Sequence, residues 1–204
     1  MHITEGILTG PVLLAGAAFT VAGTAIGLKK LDYDSIPRVA ILSAGFFVAA
    51  LIHVPVGPAS VHLVLNGLMG IMLGWLAFPA ILIGLLLQAI LFQFGGFTTL
   101  GVNTLNMALP ALLCHMIFKR WVKGPNALTS SAASFMCGFM AVFLSSIMVG
   151  LSLYFTGQQF LIVSKLIVLS NMPIMLIEGI VTLFCVRFLK KVKPDIFEAI
   201  YENQ

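Results

Sequence analysis

The sequence has few charged residues, and this scarcity excludes most classes of soluble protein. Lys, Arg, Asp and Glu together make up only 9% of the 204 residues, whereas hydrophobic residues make up 60%. Soluble domains carry about 25% charged residues, so a chain this poor in charge cannot cover a water-exposed surface. We therefore interpret residues 1–204 as a single integral membrane domain surrounded mostly by lipid.

Several motifs are also missing. No GxxxxGK[ST] sequence is present, so any ATP that powers the protein would be bound by another chain. The HExxH and GxSxG layouts of common hydrolases are absent as well. The three cysteines, Cys114, Cys137 and Cys185, form no CxxC pair, and we interpret them as small apolar residues. The first apolar run lacks the basic start of a cleaved signal peptide, so we expect a retained membrane helix.

The chain does contain a series of long apolar runs. They are separated by short breaks rich in Gly, Pro and polar residues, which are typical of tight turns between neighbouring helices. A spanning helix needs about 20 apolar residues, or fewer inside a bundle. The sequence therefore predicts an all-α bundle of seven transmembrane helices near 7–28, 37–55, 61–77, 79–94, 101–118, 132–155 and 164–189. The break at 78–80 leaves open whether 61–94 forms two helices or one broken helix.

The basic residues predict the orientation of this bundle. Ten of the eleven fall on one side of the seven-helix topology, in the first loop, the fifth loop and the C-terminal segment, and only Lys165 falls on the other side. Basic loops stay in the cytoplasm. We therefore expect the N-terminus outside and the C-terminus in the cytoplasm.

This topology brings three of the four histidines to one membrane face. His2, His53 and His62 fall at outer ends of predicted helices, whereas His115 falls near the inner end of the fifth. We interpret His115 as an interface residue beside the basic loop. Three imidazoles together on a face with few other charges indicate a metal site at the outer surface.

The start of the chain carries a specific chelating pattern. A free amine on Met1, the next backbone amide nitrogen and the Nδ1 atom of His2 can form two fused chelate rings around one ion. A fourth nitrogen from another histidine would close a planar site. Planar nitrogen ligation suits Ni(II) or Cu(II), whereas Zn(II) prefers a tetrahedron.

Four stretches of the chain resemble a known family and follow the family's order. They read "MHITEG", "GPASVHLVLNGLMG", "LLLQAILFQFGGFTTLGVNTLNMALP" and "NMPIMLIEGIVTLFCVRFL". These stretches are similar to the substrate-capture subunit of energy-coupling-factor cobalt and nickel transporters. The resemblance implies a six-helix core with one extra N-terminal helix, and a metal held near the outer face by the Met1 amine and adjacent amide, His2 and His62. The turn before His62, "GPASV", departs from the Gly- and Ser-rich turn of many members.

The resemblance also implies a function and partners. The protein would take Co(II) or Ni(II) from outside as its transported substrate, would not be an enzyme, and would lie in the cytoplasmic membrane of a prokaryote. A membrane coupling subunit and cytoplasmic ATPase subunits would supply the energy, with a small accessory membrane subunit as a further candidate; no nucleic acid is expected. The ligand set does not decide between the two metals.

Two other functions stay open at this point. A membrane metallohydrolase with an outer-face histidine cluster would need a general base, for which only Glu5 is available. A stand-alone secondary transporter coupled to protons would use Glu178 as its carrier. A carboxylate in the middle of a span needs a partner or a proton, and we favour a protonated Glu178 bonded to a neighbouring helix.

Further polar residues near the outer face are candidates for orienting the site. His53 is an axial ligand, a transient ligand during capture, or a hydrogen-bonding partner of another histidine, and we favour the last. Other side chains either orient the ligands or cap loops and helices. They are Glu5, Thr98, Thr99, Asn103 and Asn106.

Small residues spaced by four allow close contact between membrane helices. They occur in the first and second predicted helices, and in the resembled family such faces also dock the coupling subunit. The candidates for that contact are Ala18, Ala22, Gly23, Gly27, Ala40 and Ala44.

Overall fold

The computed structural model describes residues 2–56, 59–157, 161–194 and 196–197, and only the backbone at 53–56, 59–61, 161 and 163–165. Its helices and strands, in chain order, are α1 (Gly10–Lys29), α2 (Ile36–Ala49), β1 (His53–Val56), β2 (Ala59–His62), α3 (Asn66–Leu73), α4 (Ala77–Phe92), α5 (Leu100–Lys123), α6 (Ala127–Thr156), α7 (Leu161–Ser170) and α8 (Met172–Val192). A short 3₁₀ turn at Gly74–Leu76 joins α3 to α4.

The predicted membrane bundle is confirmed. Within the described residues, five helical stretches are long and apolar enough to cross a membrane, and α2 is a shorter apolar helix. These five stretches are Gly10–Lys29, Asn66–Phe92, Leu100–Lys123, Ala127–Thr156 and Met172–Val192. Large apolar side chains such as Leu14, Phe19 and Ile41 are more than 60% exposed, as expected for residues that face lipid.

The stretch from Asn66 to Phe92 contains two helices that run in opposite directions. His62 and Phe94, at its two ends, both lie beside His2. Its middle lies at the far end of α1, where a Cβ added to Gly27 would meet the Trp75 carbonyl at 2.7 Å. The reversal occurs at Gly74, whose φ of 53° lies in the left-handed region that glycine adopts readily. The open question about 61–94 is thus answered as two helices.

The predicted ends of the second and third helices are wrong. The sequence pattern predicts a second helix that ends at 55 and a third that begins at 61. Instead, the chain forms an antiparallel hairpin of β1 and β2 in which His53 is paired with His62. Pro55 lacks an N–H and keeps the residue before it out of helical geometry. The neighbouring valines, Val54 and Val56, favour extended backbone. His62 is therefore the last residue of a strand rather than the start of a helix.

The last predicted span, 164–189, is also divided. Helix α7 ends at Ser170 and α8 begins at Met172, with Asn171 between them. Pro173 in the first turn of α8 has no N–H to bond the preceding turn, so it starts a new helix rather than continuing α7.

Helix α1 packs on the rest of the bundle through small residues. Its buried positions are Gly16, Thr20, Gly23 and Gly27, which form one stripe. A Cβ added at Gly16 would lie 2.4 Å from a Val102 methyl carbon, so this close approach of α1 to α5 requires glycine. The Thr20 hydroxyl donates to the Gly101 carbonyl at 2.6 Å. The stripe leaves most of α1 exposed, so α1 lies at the edge of the bundle.

Candidate metal site

The N-terminal segment is held against the start of α5 by one side chain. The Asn103 carboxamide accepts a hydrogen bond from the Ile3 backbone N–H and donates one to the Ile3 carbonyl, both at 3.0 Å. Its amide nitrogen also donates to the Thr99 hydroxyl at 3.3 Å. Ile3 and Asn103 are both buried. Because the N–H and the carbonyl of Ile3 are both hydrogen-bonded to Asn103, the backbone of the preceding residue, His2, is held at a defined position beside α5.

Glu5 ties the same segment to the loop between α4 and α5. Its carboxylate accepts hydrogen bonds from the Thr98 backbone N–H at 3.0 Å and from the Thr98 hydroxyl at 3.3 Å. The backbone N–H of Thr98 lowers the pKa of Glu5 below its usual value. The contact therefore requires the carboxylate and is lost only at acidic pH, as that group becomes protonated.

Two adjacent glycines make room for this contact. Gly95 has a φ of +77° and Gly96 a φ of +150°. A Cβ at Gly96 would lie 2.0 Å from Glu5 Cγ, and a Cβ at Gly95 would lie 3.0 Å from the Asn103 amide nitrogen. Side chains at these positions would displace the N-terminal segment.

The imidazoles of His2 and His62 face each other. Their ring centroids are 4.9 Å apart and their planes differ by 13°. The Phe94 ring lies on His2 at a centroid distance of 6.2 Å. His62 is only 6% exposed. The hairpin and the α4–α5 loop thus bring two imidazoles that are 60 positions apart in sequence into contact.

The tautomer of His62 follows from its backbone neighbour. The His62 Nδ1 atom lies 3.1 Å from the Leu63 carbonyl oxygen, which is an acceptor. Nδ1 therefore carries the proton in this contact, and Nε2 is the ring nitrogen left with a lone pair. Farther along the chain, the backbone N–H groups of Val64 and Leu65 donate to Glu178 Oε1. Glu178 is therefore bonded to the segment before α3 rather than to a neighbouring helix, and its protonation stays a prediction.

Other candidate residues have local partners. The Thr99 hydroxyl donates to the Gly96 carbonyl at 3.4 Å, and Asn106 Oδ1 accepts from the Ser152 hydroxyl at 3.2 Å. Thr98, Thr99 and Asn103 surround the N-terminal segment, whereas Asn106 connects α5 to α6. Among the described residues, no group of three or more His, Cys, Asp or Glu side chains could hold a metal.

Two candidate ligands are not fully described. Met1 lies outside the described residues, and of His53 only the backbone is described, as the strand partner of His62. Their assignment as ligands stays a prediction.

The His115 side chain is buried inside the bundle rather than exposed beside the basic loop. It is only 3% exposed, and its ring lies against the backbone of Gly70 and Ile71 in α3. Our interpretation was wrong because distance from the end of a helix does not tell which side of that helix faces the neighbouring helices. His115 belongs to the interior of the bundle, away from the His2–His62 pair.

Sequence reasoning missed Phe94, Gly95 and Gly96 as parts of the site. The only sequence signal was the Gly-Gly pair after an aromatic residue in "FQFGGF", which indicates a turn with unusual backbone angles. That these residues surround His2 depends on the packing of α4 and α5 and is not visible in the pattern.

Comparisons with known proteins identify the family of the chain. The family model described as the cobalt uptake substrate-specific transmembrane region matches residues 2–196. A putative metal transport protein of Haemophilus influenzae is 41% identical over 198 residues, which cover 96% of each chain. The fused nickel transport protein NikMN of Rhodobacter capsulatus is 38% identical over 115 residues, which cover 53% of this chain and 33% of that one.

A solved structure has the same fold. The crystal structure of a truncated transition metal transporter superimposes with a TM-score of 0.74 at 25% identity, covering 94% of this chain and 99% of that chain. The family match extends over nearly the whole chain, and so does the likeness to a relative that is 41% identical. The chain therefore belongs to the CbiM family, whose model is described as the cobalt uptake substrate-specific transmembrane region.

Proposed function

We propose that this protein is the metal-capture subunit of an ATP-powered energy-coupling-factor importer and that Co(II) or Ni(II) is its transported substrate. The observation that carries the proposal is the pair of facing imidazoles of His2 and His62. The test is binding of Ni(II) and Co(II) to purified protein that retains Met1 with a free amine. We expect one tightly bound ion per chain, and no binding of either ion would refute the proposal.

The ligand set that we propose is the Met1 amine, the adjacent amide nitrogen, His2 Nδ1 and His62 Nε2. With metal–nitrogen bonds of about 2 Å, imidazoles at right angles around one ion would have ring centroids roughly 4.5 Å apart, and opposed imidazoles roughly 6 Å apart. The observed 4.9 Å is near the separation of neighbouring positions. A metal lies in the plane of each imidazole that binds it, so the stacked rings would have to rotate for both nitrogens to reach one ion. Neighbouring positions agree with the chelate, in which the amine stands opposite His2 and leaves the position beside His2 for His62.

The proposal includes partners that bind ATP. The chain contains no nucleotide-binding GxxxxGK[ST] motif, so a membrane coupling subunit and cytoplasmic ATPase subunits would supply the energy. Of the small residues that are candidates for the coupling contact, Gly23 and Gly27 pack against α4 of the same chain. The exposed members are Ala18, Ala22, Ala40 and Ala44. We therefore place the coupling contact on these alanines.

The two alternative functions receive less support. Membership of a transport family disfavours a metallohydrolase, and the Glu5 carboxylate that would be its base is bonded to Thr98. The proton carrier of a secondary transporter would be Glu178, which instead bonds two backbone N–H groups.

Metal affinity should fall steeply as the pH drops from about 8 to 6. Free imidazole has a pKa of about 6.5 and a terminal amine one of about 7.7–8.0, and both must lose a proton to bind metal. The Glu5–Thr98 contact does not explain such a loss, because the pKa of Glu5 is held below its usual value. Competition titrations with Ni(II) at several pH values measure the effect. A profile that stays flat down to about pH 6 and falls near pH 5 would indicate carboxylate ligands instead.

Replacing Asn103 should weaken metal binding without unfolding the protein. Asn103→Leu keeps a similar volume but removes both hydrogen bonds to Ile3, which set the position of His2. We expect Ni(II) affinity to fall about 10- to 100-fold, as for other residues that orient a metal ligand. Thr104→Val is the matched control, since Thr104 is also buried in α5 but donates within its own helix, to Leu100. Equal affinities of the two variants would contradict the assignment.

A further inference from the structure

Glu178 is a buried carboxyl group that the proposed ligand set does not use. It lies in α8 and is 0% exposed. One oxygen, Oε1, accepts the backbone N–H groups of Val64 and of Leu65, the latter at 2.7 Å. The other oxygen, Oε2, has no hydrogen-bond partner among the described residues. Burying a carboxyl group in a membrane costs free energy. An apolar side chain at this position would avoid that cost but could not accept hydrogen bonds from the two N–H groups.

The two N–H groups belong to the link between His62 and α3. Val64 and Leu65 are the second and third residues after His62, and Asn66 begins α3. Leu65 has a φ of 54°, in the left-handed region that a branched side chain rarely adopts. The N–H groups of Val64 and Leu65 precede the first residue of α3 and have no partner within that helix, and the Glu178 carboxyl group on α8 accepts both. The shape of the link is thus maintained by Glu178.

The far end of the link is fixed independently by α6. The Asn66 amide donates to the Ser145 hydroxyl at 2.7 Å. A Cβ added at Gly67 would lie 2.5 Å from the Gly138 Cα, so the backbones of α3 and α6 are in close contact. All eight residues of α3 are buried. With α3 packed against α6 in this way, Glu178 determines how the chain leaves α3 toward His62.

We propose that Glu178 is a positioning residue for metal capture: it holds the 63–65 link so that His62 faces His2. The inference rests on the proposed function. Asn103 on α5 performs the equivalent task for the His2 segment through Ile3. The two imidazoles are therefore positioned from different helices, and a movement of α8 relative to α5 would change their separation.

The test compares three variants in α8 by Ni(II) titration of folded protein. Glu178→Leu fills the space but removes the acceptor, and we expect affinity to fall about 10- to 100-fold. Glu178→Gln retains an oxygen that can accept both N–H groups, and we expect affinity within about threefold of the original protein. Thr182→Val is the matched control, because Thr182 is equally buried one turn along α8. Unchanged affinity in folded Glu178→Leu, or an equal loss in Glu178→Gln, would overturn the proposal.

A double-mutant cycle separates positioning from general support of the fold. In a His62→Ala background, the remaining affinity comes from Met1 and His2. Glu178→Leu should then change it by less than about twofold, because a residue that acts only through His62 has no further effect once that imidazole is removed, whereas the effects of independent sites would add in full. An undiminished effect of Glu178→Leu in that background would show that Glu178 does not act through His62.

A second measurement covers the case in which Glu178→Leu does not fold. Amide hydrogen exchange at Val64 and Leu65 is measured in Glu178→Gln beside its Ni(II) affinity. Protected amides with retained affinity support the inference, whereas retained affinity with unprotected amides, or lost affinity with protected ones, overturns it. Failure of the unaltered protein to bind Ni(II), or full binding by His62→Ala, would instead refute the proposed function.

Discussion

Adding residues before Met1 should lower Ni(II) affinity by more than about 100-fold, beyond the usual cost of losing a residue that only orients a ligand. The extension turns the terminal amine into an amide and moves the new amine away from His2, so the fused chelate rings cannot form. Two of the four proposed nitrogens would be affected at once. Equilibrium titration with Ni(II) in detergent solution measures the loss.

The matched control for this experiment is an extension of equal length after Gln204. It adds the same residues to the protein but leaves the Met1 amine free. Both proteins should elute as folded species and show similar thermal stability, because the Asn103–Ile3 contact does not involve the amine. An N-terminally extended protein that binds Ni(II) as tightly as the control would refute the amine as a ligand.

Replacing either facing imidazole should also reduce metal binding strongly. We expect His2→Ala and His62→Ala each to lower Ni(II) affinity by about 100-fold or more, which exceeds the typical effect of a residue that only orients ligands. His2→Ala should have the larger effect, because it removes part of the chelate itself. His62→Ala leaves the Met1 and His2 nitrogens in place. Isothermal titration and the absorption spectrum of bound Ni(II) measure both changes.

His115→Ala is the control for these two variants. His115 is also a buried histidine, but it lies in the interior of the bundle against α3 and apart from the His2–His62 pair. Its replacement should affect thermal stability through lost packing and leave Ni(II) affinity nearly unchanged. If His115→Ala abolished binding while His62→Ala did not, the proposed ligand set would be wrong.

Several features of the fold were predictable because their signals are local in the sequence. Composition and apolar runs identified a membrane bundle, since a lipid environment acts on each segment separately. The end of helical structure before Pro55 could also have been predicted from the sequence. The valines and prolines of "HVPVGPASVH" favour extended backbone, and our prediction of helix there gave hydropathy too much weight.

The placement of particular side chains was harder to predict. His115 and Glu178 both lie within apolar runs, and their sequence neighbours resemble each other in hydropathy. The interior position of His115 depends on how α5 is rotated toward α3, which many contacts determine together. Likewise, a buried carboxyl group implies some partner, but not that the partner is the pair of N–H groups at Val64 and Leu65.

The sequence by itself determined the membrane class and the helical bundle, because hydropathy is a property of short segments, and it indicated a chelating pattern at Met1 and His2, because ligand chemistry is local as well. Only the tertiary structure decided that His2 meets His62, that Asn103 binds Ile3 across 100 positions, and that Glu178 binds Val64 across 114. Such contacts join residues far apart in the chain. They arise when helices pack at specific rotations and depths, and no local pattern encodes those two quantities.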